Sequence, residues 1–346
     1  MAYVISEVRS GDKRSLSEID ALLTRQGIRR DANLDYVCAM YDDDYRVIAT
    51  GSCFGNTLRC FAVSDEHQGE GLLNQIVTRL MEVQAERGNF RLFLYTKLDS
   101  AKFFGDLGFH EIARVENTLV FMENRKDGFS DYLRDLSETK RPGKSAALVM
   151  NANPFTFGHQ YLAETASAAC DTLHLFVVSE DASLVPFAVR KKLVRDGTSH
   201  LPNVILHDSG PYIISNATFP SYFLRDETAV IEGHAKLDLA IFVKIAEALN
   251  VTVRYVGEEP NSQVTGLYNQ IMRTELPKSG VDCIVIPRKT FENRVISASD
   301  VRKYLQSEDW EALRNLVPES TFSYFRSPEA ADVMKRIKSA KDVAHY

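Results

Sequence analysis

The chain has 346 residues, 45% of them hydrophobic, with 41 Lys plus Arg against 47 Asp plus Glu and a net charge of −6. That length suits two domains rather than one, and the acidic balance excludes a molecule built to coat nucleic acid or an anionic membrane. No apolar run approaches the roughly 20 residues of a membrane span, and the first residues lack the apolar stretch of a signal peptide. Five scattered cysteines (Cys38, Cys53, Cys60, Cys170, Cys283) show no C-x-x-C spacing. They speak against a zinc site or a disulfide framework and for a reducing cytoplasm.

Ile5 to Val8 reads as a short strand. Ser15 to Gln26 puts Leu16, Ile19, Leu22 and Leu23 on one helical face. Three apolar runs follow: Tyr36 to Tyr41, Val47 to Phe54 and Leu58 to Val63, the first two separated by Asp42-Asp43-Asp44. They predict an antiparallel meander. Next, Gln68-Gly69-Glu70-Gly71 leads into a helix to about Arg87, with Leu72, Ile76, Leu80 and Val83 inward. Glycines in such a loop let backbone approach a pyrophosphate, and the helix start supplies N–H groups. A plain strand–helix turn accounts for the same residues. Phe90 to Thr96 predicts a strand, Ser100 to Phe109 a short helix stopped by glycine, and His110 to Arg114 and Thr118 to Glu123 two closing strands.

This order resembles the GNAT-type acyl-CoA acetyltransferases over residues 1–124. The resemblance implies an α+β domain with a mixed, mostly antiparallel sheet, and it makes Gln68, Gly69 and Gly71 candidates for holding a CoA-like arm. Leu73 stands where that family usually has a small residue. Phe104 stands where many members carry a tyrosine acid, and phenylalanine cannot donate a proton. A binding or docking module is therefore expected here rather than an acetyltransferase. Residues 125–144 read as a polar linker, with one short helix over Phe129 to Leu136 and a turn at Pro142-Gly143.

From residue 145 to 346 strands alternate with helices. Ala146 to Met150, Thr172 to Ser179, Val204 to His207, Val251 to Gly257 and Val281 to Ile286 read as strands. Helices are expected from His159 to about Cys170, from Pro186 to Ser199 with the proline in its first turn, and from Leu237 to Leu249. Such alternation predicts a doubly wound, Rossmann-like parallel sheet, which binds ligands beyond its C-terminal strand ends. Polar residues collect there: Asn153, Thr156 and His159; Ser179, Glu180 and Asp181; Gly257, Glu258 and Glu259; Arg288 and Lys289.

Two stretches read as anion sites. Met150 to His159 is a strand end, a Pro-containing turn and a helix start, the geometry that aims N–H groups and a helix dipole at a phosphate. Ile296-Ser297-Ala298-Ser299-Asp300-Val301-Arg302 is a second helix start, where Ser297 or Ser299 can cap and Arg302 can reach back to an anion. Arg190 can turn towards the same edge, whereas Lys191 reads as solvated. Glu258 and Glu259 can hold ribose hydroxyls or Mg²⁺, or simply face water.

Thr156-x-Gly158-His159 with Ile296-Ser297-x-Ser299-x-x-Arg302 resembles the HxGH nucleotidyltransferase superfamily, with Thr156 in place of the first histidine. A hydroxyl keeps a donor but carries no charge. Together with Val256-Gly257-Glu258-Glu259-Pro260 and the GNAT-like first domain, the whole chain resembles the citrate lyase ligases. That resemblance implies an enzyme that uses ATP and Mg²⁺ to convert acetate to acetyl adenylate. The acetyl group then passes to the prosthetic thiol of the citrate lyase acyl carrier protein. It implies His159, Thr156 and Arg302 as catalytic, and Asn153, Phe155, Gly158, Gly257, Glu258, Ser297, Ser299 and Arg190 around the ATP. Two other readings stay open: an adenylyltransferase acting on a mononucleotide, and an acetyl-CoA-dependent N-acetyltransferase.

Overall fold

The structure, a computed structural model, describes residues 3–180, 182–213, 219, 227–258, 263–292 and 294–343. The chain divides into two compact units, Met1–Asp131 with Pro220–Gly233, and Tyr132–Phe219 with His234–Tyr346.

The first unit runs β1 (Ile5–Glu7), α1 (Lys13–Arg25), β2 (Tyr36–Tyr41), β3 (Val47–Phe54), β4 (Thr57–Val63), α2 (Leu72–Glu86), β5 (Phe93–Thr96), α3 (Leu98–Asp106), β6 (His110–Val115) and β7 (Leu119–Glu123). Among the described residues its sheet has the order β1-β2-β3-β4-β5-β7-β6. Alternation sorts the two faces. Val37, Ala39 and Val47 meet Ile19, Leu22 and Leu23 of α1. Cys38, Met40 and Ile48 meet Ile76 and Leu80 of α2. Asp12 caps α1 by accepting from the Ser15 N–H at 3.1 Å. Gly51 lets α2 lie close on β3, because a Cβ there would sit 2.4 Å from Ile76. Among the described residues this sheet's one parallel pairing, β4 with β5, joins Thr57 with Phe93 and Leu58 with Leu94. Beyond it β4 continues to Val63 without that partner, so the two strands part.

Next come α4 (Gly128–Ser137), β8 (Ser145–Met150), α5 (Phe157–Ser167), β9 (Thr172–Val177), α6 (Phe187–Gly197), β10 (Val204–Asp208), α7 (Glu227–Leu249), β11 (Val251–Gly257), α8 (Gln263–Glu275), β12 (Asp282–Ile286), the two short strands β13 (Thr290–Phe291) and β14 (Arg294–Val295), and α9 (Ala298–Ser307), α10 (Trp310–Arg314), α11 (Glu319–Arg326) and α12 (Ala331–Ser339). The second unit's sheet is parallel throughout, in the order β10-β9-β8-β11-β12. The chain starts at the central β8, moves outward through β9 and β10, then crosses back to β11 and β12. The strand order therefore reverses between β8 and β11, and a crevice is expected beyond their carboxyl ends.

Two helices depart from the sequence reading. α7 begins at Glu227 rather than Leu237, because its first turns carry Gly233, His234 and charged residues that hide the apolar period. α8 lies in a stretch for which the sequence reading gives no helix, between Gly257 and Val281. Pro186 occupies the N-cap of α6 rather than its first turn.

A histidine pair is buried in the second unit. His174 of β9 and His207 of β10 are 0% and 7% exposed, and His174 Nδ1 lies 2.9 Å from His207 Nε2. One ring must donate and the other accept, and with both pushed well below 6.5 the two are neutral at pH 7. Burial is the main cause that pushes each ring down to about 4. Their folded proton affinity lies below the unfolded value of about 6.5. The unfolded chain thus binds more protons across this window, and stability is lost as pH falls from about 6.5 towards about 4. Melting curves between pH 7.5 and 4.5 should show the Tm dropping on acidification, with a shallower fall in a His174→Leu/His207→Phe double variant.

Candidate active site

The turn after β8 is held from several directions. Ala152 sits at φ 52°, in the left-handed region, and the Asn153–Pro154 peptide is cis. A non-glycine residue at positive φ persists only where its surroundings over-determine it. Here the Asn153 carbonyl accepts from Arg302 at 2.5 Å, and its side chain accepts from the Val185 N–H at 3.1 Å. The Phe155 carbonyl accepts from the Thr321 hydroxyl at 3.1 Å. The Phe157 N–H, first of α5, donates to the Leu316 carbonyl at 2.9 Å.

Thr156 is the N-cap of α5 and His159 its third helical residue. The Thr156 hydroxyl accepts from the His159 N–H at 3.3 Å. The Thr156 N–H donates to His159 Nδ1 at 3.1 Å. This is a capping box with histidine in the place usually taken by Glu or Gln. Because Nδ1 accepts, the ring's proton is assigned to Nε2. Burial first, and the Arg288 charge second, push this imidazole down to about 4. His159 is thus a neutral donor at pH 7, and its charge plays no part there.

Phe155 is fully buried and stacks on the His159 ring, centroids 5.9 Å apart. Gly197 of α6 makes room for it, because a Cβ there would lie 2.3 Å from the Phe155 ring. Gly158 brings the two sequence motifs together: a Cβ on it would touch the Ile296 carbonyl at 3.4 Å. Beyond Ile296, the Ser297 hydroxyl accepts from the Asp300 N–H at 3.1 Å and caps α9, which decides between the two serines. Ser299 accepts from Arg302 at 3.1 Å.

Two arginines differ from their expected part. Arg190 is 0% exposed. Its N–H groups donate to the carbonyls of Val185, Asn151 and Val178 at 2.9, 2.9 and 2.7 Å, to the Asn151 side chain at 2.8 Å and to the Glu180 carbonyl. A guanidinium so occupied ties the ends of β8 and β9 together and does not reach into the crevice. Arg302 is 2% exposed. Besides Asn153 and Ser299 it donates to the Val343 carbonyl at 2.6 Å, and burial pushes it down to about 10. It fastens the turn to α9 and the chain's end instead of standing open to an anion. Thr156 and Asn153, 1% and 3% exposed, likewise spend their side chains on protein partners.

Gly257 and Glu258 close β11. The Gly257 carbonyl accepts from Asn269 at 3.0 Å. The Glu258 side chain is exposed, and its N–H donates to the Ile286 carbonyl at 2.9 Å. Asp181, Glu259 and Pro260 lie outside the described residues. In the first unit, Gly69 and Gly71 take φ 85° and 73°, with open space around both. Phe104 is 3% exposed and packs among Phe61, Phe103 and Phe109.

Strand order, switch point and capped helix start define a doubly wound, Rossmann-like α/β domain, preceded by a domain built on a mixed sheet. Residues 145–325 match the family model of the citrate lyase ligase C-terminal domain, and the chain belongs to the citrate lyase ligase family. It is 36% identical over 324 residues to the citrate (pro-3S)-lyase ligase of Haemophilus influenzae, covering 92% of this chain and 97% of that protein. The Klebsiella pneumoniae ligase is 38% identical, with 90% and 93% covered. The Escherichia coli ligase is 37% identical, with 94% of each covered.

Thr156→Val removes the acceptor for the His159 N–H and leaves the ring with one tether fewer. Urea unfolding should register a loss of about 0.5–2 kcal/mol, the usual range for a lost cap.

Proposed function

We propose that the chain activates acetate with ATP and acetylates the prosthetic thiol of the citrate lyase acyl carrier protein. Membership of the ligase family supports the acceptor. The observation that carries the chemistry is the start of α5, with a neutral histidine whose Nδ1 is tied to Thr156 and whose Nε2 keeps the proton. In this reading an acetate oxygen attacks the α-phosphorus, the bond to the bridging oxygen breaks, and pyrophosphate leaves with the electron pair. The thiol sulfur then attacks the acetyl carbon, AMP departs and the thiol proton goes to solvent. No protein nucleophile is required. Positioning and donors aimed at the phosphate oxygens are.

Within this reading His159 donates from Nε2 to a phosphate oxygen, and Thr156 positions it. Gly158, Phe155, Ser297 and Ser299 shape the two helix starts, and Gly257 and Glu258 line the opposite strand end. Arg302 and Arg190 stiffen the surrounding turns. Among the described residues no group of three or more His, Cys, Asp or Glu side chains could hold a metal. That donor set suits Mg²⁺ that arrives on the triphosphate, keeps most of its waters and takes at most one carboxylate such as Glu258. The ion would neutralise phosphate charge. We assign the cytoplasm as the working compartment, a reading supported by five cysteines that are all unpaired. Among the described residues no helix is long and apolar enough to cross a membrane.

For the first unit we propose docking of the carrier's CoA-like arm at Gln68, Gly69 and Gly71. The parting of β4 from β5 and the two left-handed glycines support this. Phe104, enclosed by aromatic rings, leaves no proton donor at the position where an acetyltransferase acid would stand.

The first test is acetate-dependent exchange of pyrophosphate into ATP. His159→Ala should cut the rate by about 10²–10³, the usual loss for one oxyanion donor, in a protein whose circular dichroism shows it still folded at the assay temperature. Exchange at the wild-type rate would overturn the assignment. The second test separates the units. A Gly69→Ala/Gly71→Ala variant should exchange at the wild-type rate yet acetylate the carrier about tenfold more slowly, equivalent to roughly 1.4 kcal/mol. Equal transfer by the variant would remove the first unit from the reaction.

A further inference from the structure

The two sides of the crevice differ in how their polar groups are engaged. On the β9 side they have protein partners. Arg190 takes the carbonyls of Asn151 and Val178. The Ser179 N–H donates to the Ser209 hydroxyl at 2.8 Å, and the Gly210 N–H donates to the Ser179 hydroxyl at 3.0 Å. On the other side β11 ends at Gly257. It lies two residues beyond the Tyr255–Leu148 pair, as Met150 does at the end of β8. A Cβ on Gly257 would meet Leu162 of α5 at 3.7 Å and nothing nearer among the described residues, so this strand end leaves room beside α5.

Behind Gly257 stands Asn269, in the second turn of α8. It is 9% exposed. Its Nδ2 donates to the Gly257 carbonyl at 3.0 Å. A carbonyl can take only a donor, so this contact assigns the nitrogen to Gly257 and leaves the side-chain oxygen over. Among the described residues that oxygen receives no protein donor. A largely buried carboxamide with an unmatched acceptor is costly unless a ligand or water supplies the donor. The bond to Gly257 also holds the group in one orientation before any ligand arrives.

Position selects the ligand. In the adenylation reading His159 meets the phosphates at the end of β8. Neighbouring strands lie about 4.7–4.9 Å apart, a step that matches the reach from an α-phosphate to the ribose attached to it. One strand further on, at β11, the sugar is the part of the nucleotide that faces Gly257 and Asn269. Ribose hydroxyls are donors, and a carboxamide oxygen accepts them.

We propose that Asn269 is a ribose ligand: its oxygen accepts from a sugar hydroxyl of ATP while its nitrogen holds the Gly257 carbonyl. The residue thereby selects ribonucleotides over deoxyribonucleotides. The proposal deepens the adenylation reading and rests on it for the placement of the phosphates at His159.

The experiment uses the full-length protein. Calorimetry measures the binding of ATP, 2′-deoxy-ATP, 3′-deoxy-ATP and inosine triphosphate, beside acetate-dependent ATP–pyrophosphate exchange. The wild type should bind ATP about three- to tenfold more tightly than one of the two deoxy analogues, the range of one net hydrogen bond. Asn269→Ala should bind ATP and that analogue equally. It should also raise the KM for ATP in exchange by the same factor with kcat nearly unchanged, the pattern of lost uniform binding. A residue that merely braced Gly257 would weaken all four nucleotides alike and keep the ratio, and that outcome overturns the proposal. Asn269→Leu, similar in volume, decides the matter if the alanine variant melts early. A wild type that binds ATP no better than either deoxy analogue would overturn the proposal without any variant. So would a loss of discrimination against inosine triphosphate alone, because the oxygen would then be reading the amino group of the base. Discrimination through Asn269 with no acetate-dependent exchange would instead overturn the adenylation reading and leave the ribose contact standing.

Discussion

The hydrogen bond from the Thr156 N–H to His159 Nδ1 is the contact on which the crevice depends. It satisfies one of the orphan donors of a helix start. It sets the tautomer of the ring and thereby decides which nitrogen can donate outward. It also fixes the angle at which the turn enters α5. The ring is supported from beneath by Phe155, and Phe155 has room only because residue 197 lacks a side chain. A glycine in α6 thus governs the seating of an imidazole on α5 through one intervening aromatic ring.

Around that contact, two buried guanidiniums do the work of a scaffold. Parallel strands end in carbonyls that nothing in the sheet can satisfy, and buried polar groups without partners are costly. Arg190 answers three such carbonyls beyond β8 and β9, those of Asn151, Val178 and Glu180, and also that of Val185 ahead of α6. Arg302 answers those of Asn153 and Val343. A buried cation is tolerated when its nitrogens are matched in this way. The cations that remain nearer the surface, Arg288 and Lys289, sit on a loop whose backbone touches the first turn of α5.

The first unit reaches its architecture by other means. Strict alternation separates the α1 and α2 faces of the sheet. Among its described residues the parallel pairing of β4 with β5 is two residues long, so the strands part where the α2 helix start follows two glycines. Phe104 of α3 fills the core rather than presenting a hydroxyl.

Strand and helix positions were readable in the chain because they follow from local periodicity and turn chemistry. β11 falls where the apolar run from Val251 to Gly257 predicts it. α7 and α8 were misread where polar residues mask the period, since tertiary packing and not propensity stabilises them. Ser297 and Thr156 act as caps, as residues of their type and place do. Roles that depend on distant partners were not readable. Arg302 looks like a phosphate ligand by spacing, yet it is claimed by a carbonyl 149 residues away. Arg190 is claimed by strand ends that only the crossover topology brings together. The sequence alone determined most of the strands and helices and the parallel, doubly wound class of the second sheet, consequences of short-range chemistry. Only the tertiary structure decided which arginines are buried as braces and which stand at the crevice. A guanidinium's role is set by the carbonyls around it, and those arrive from other parts of the chain.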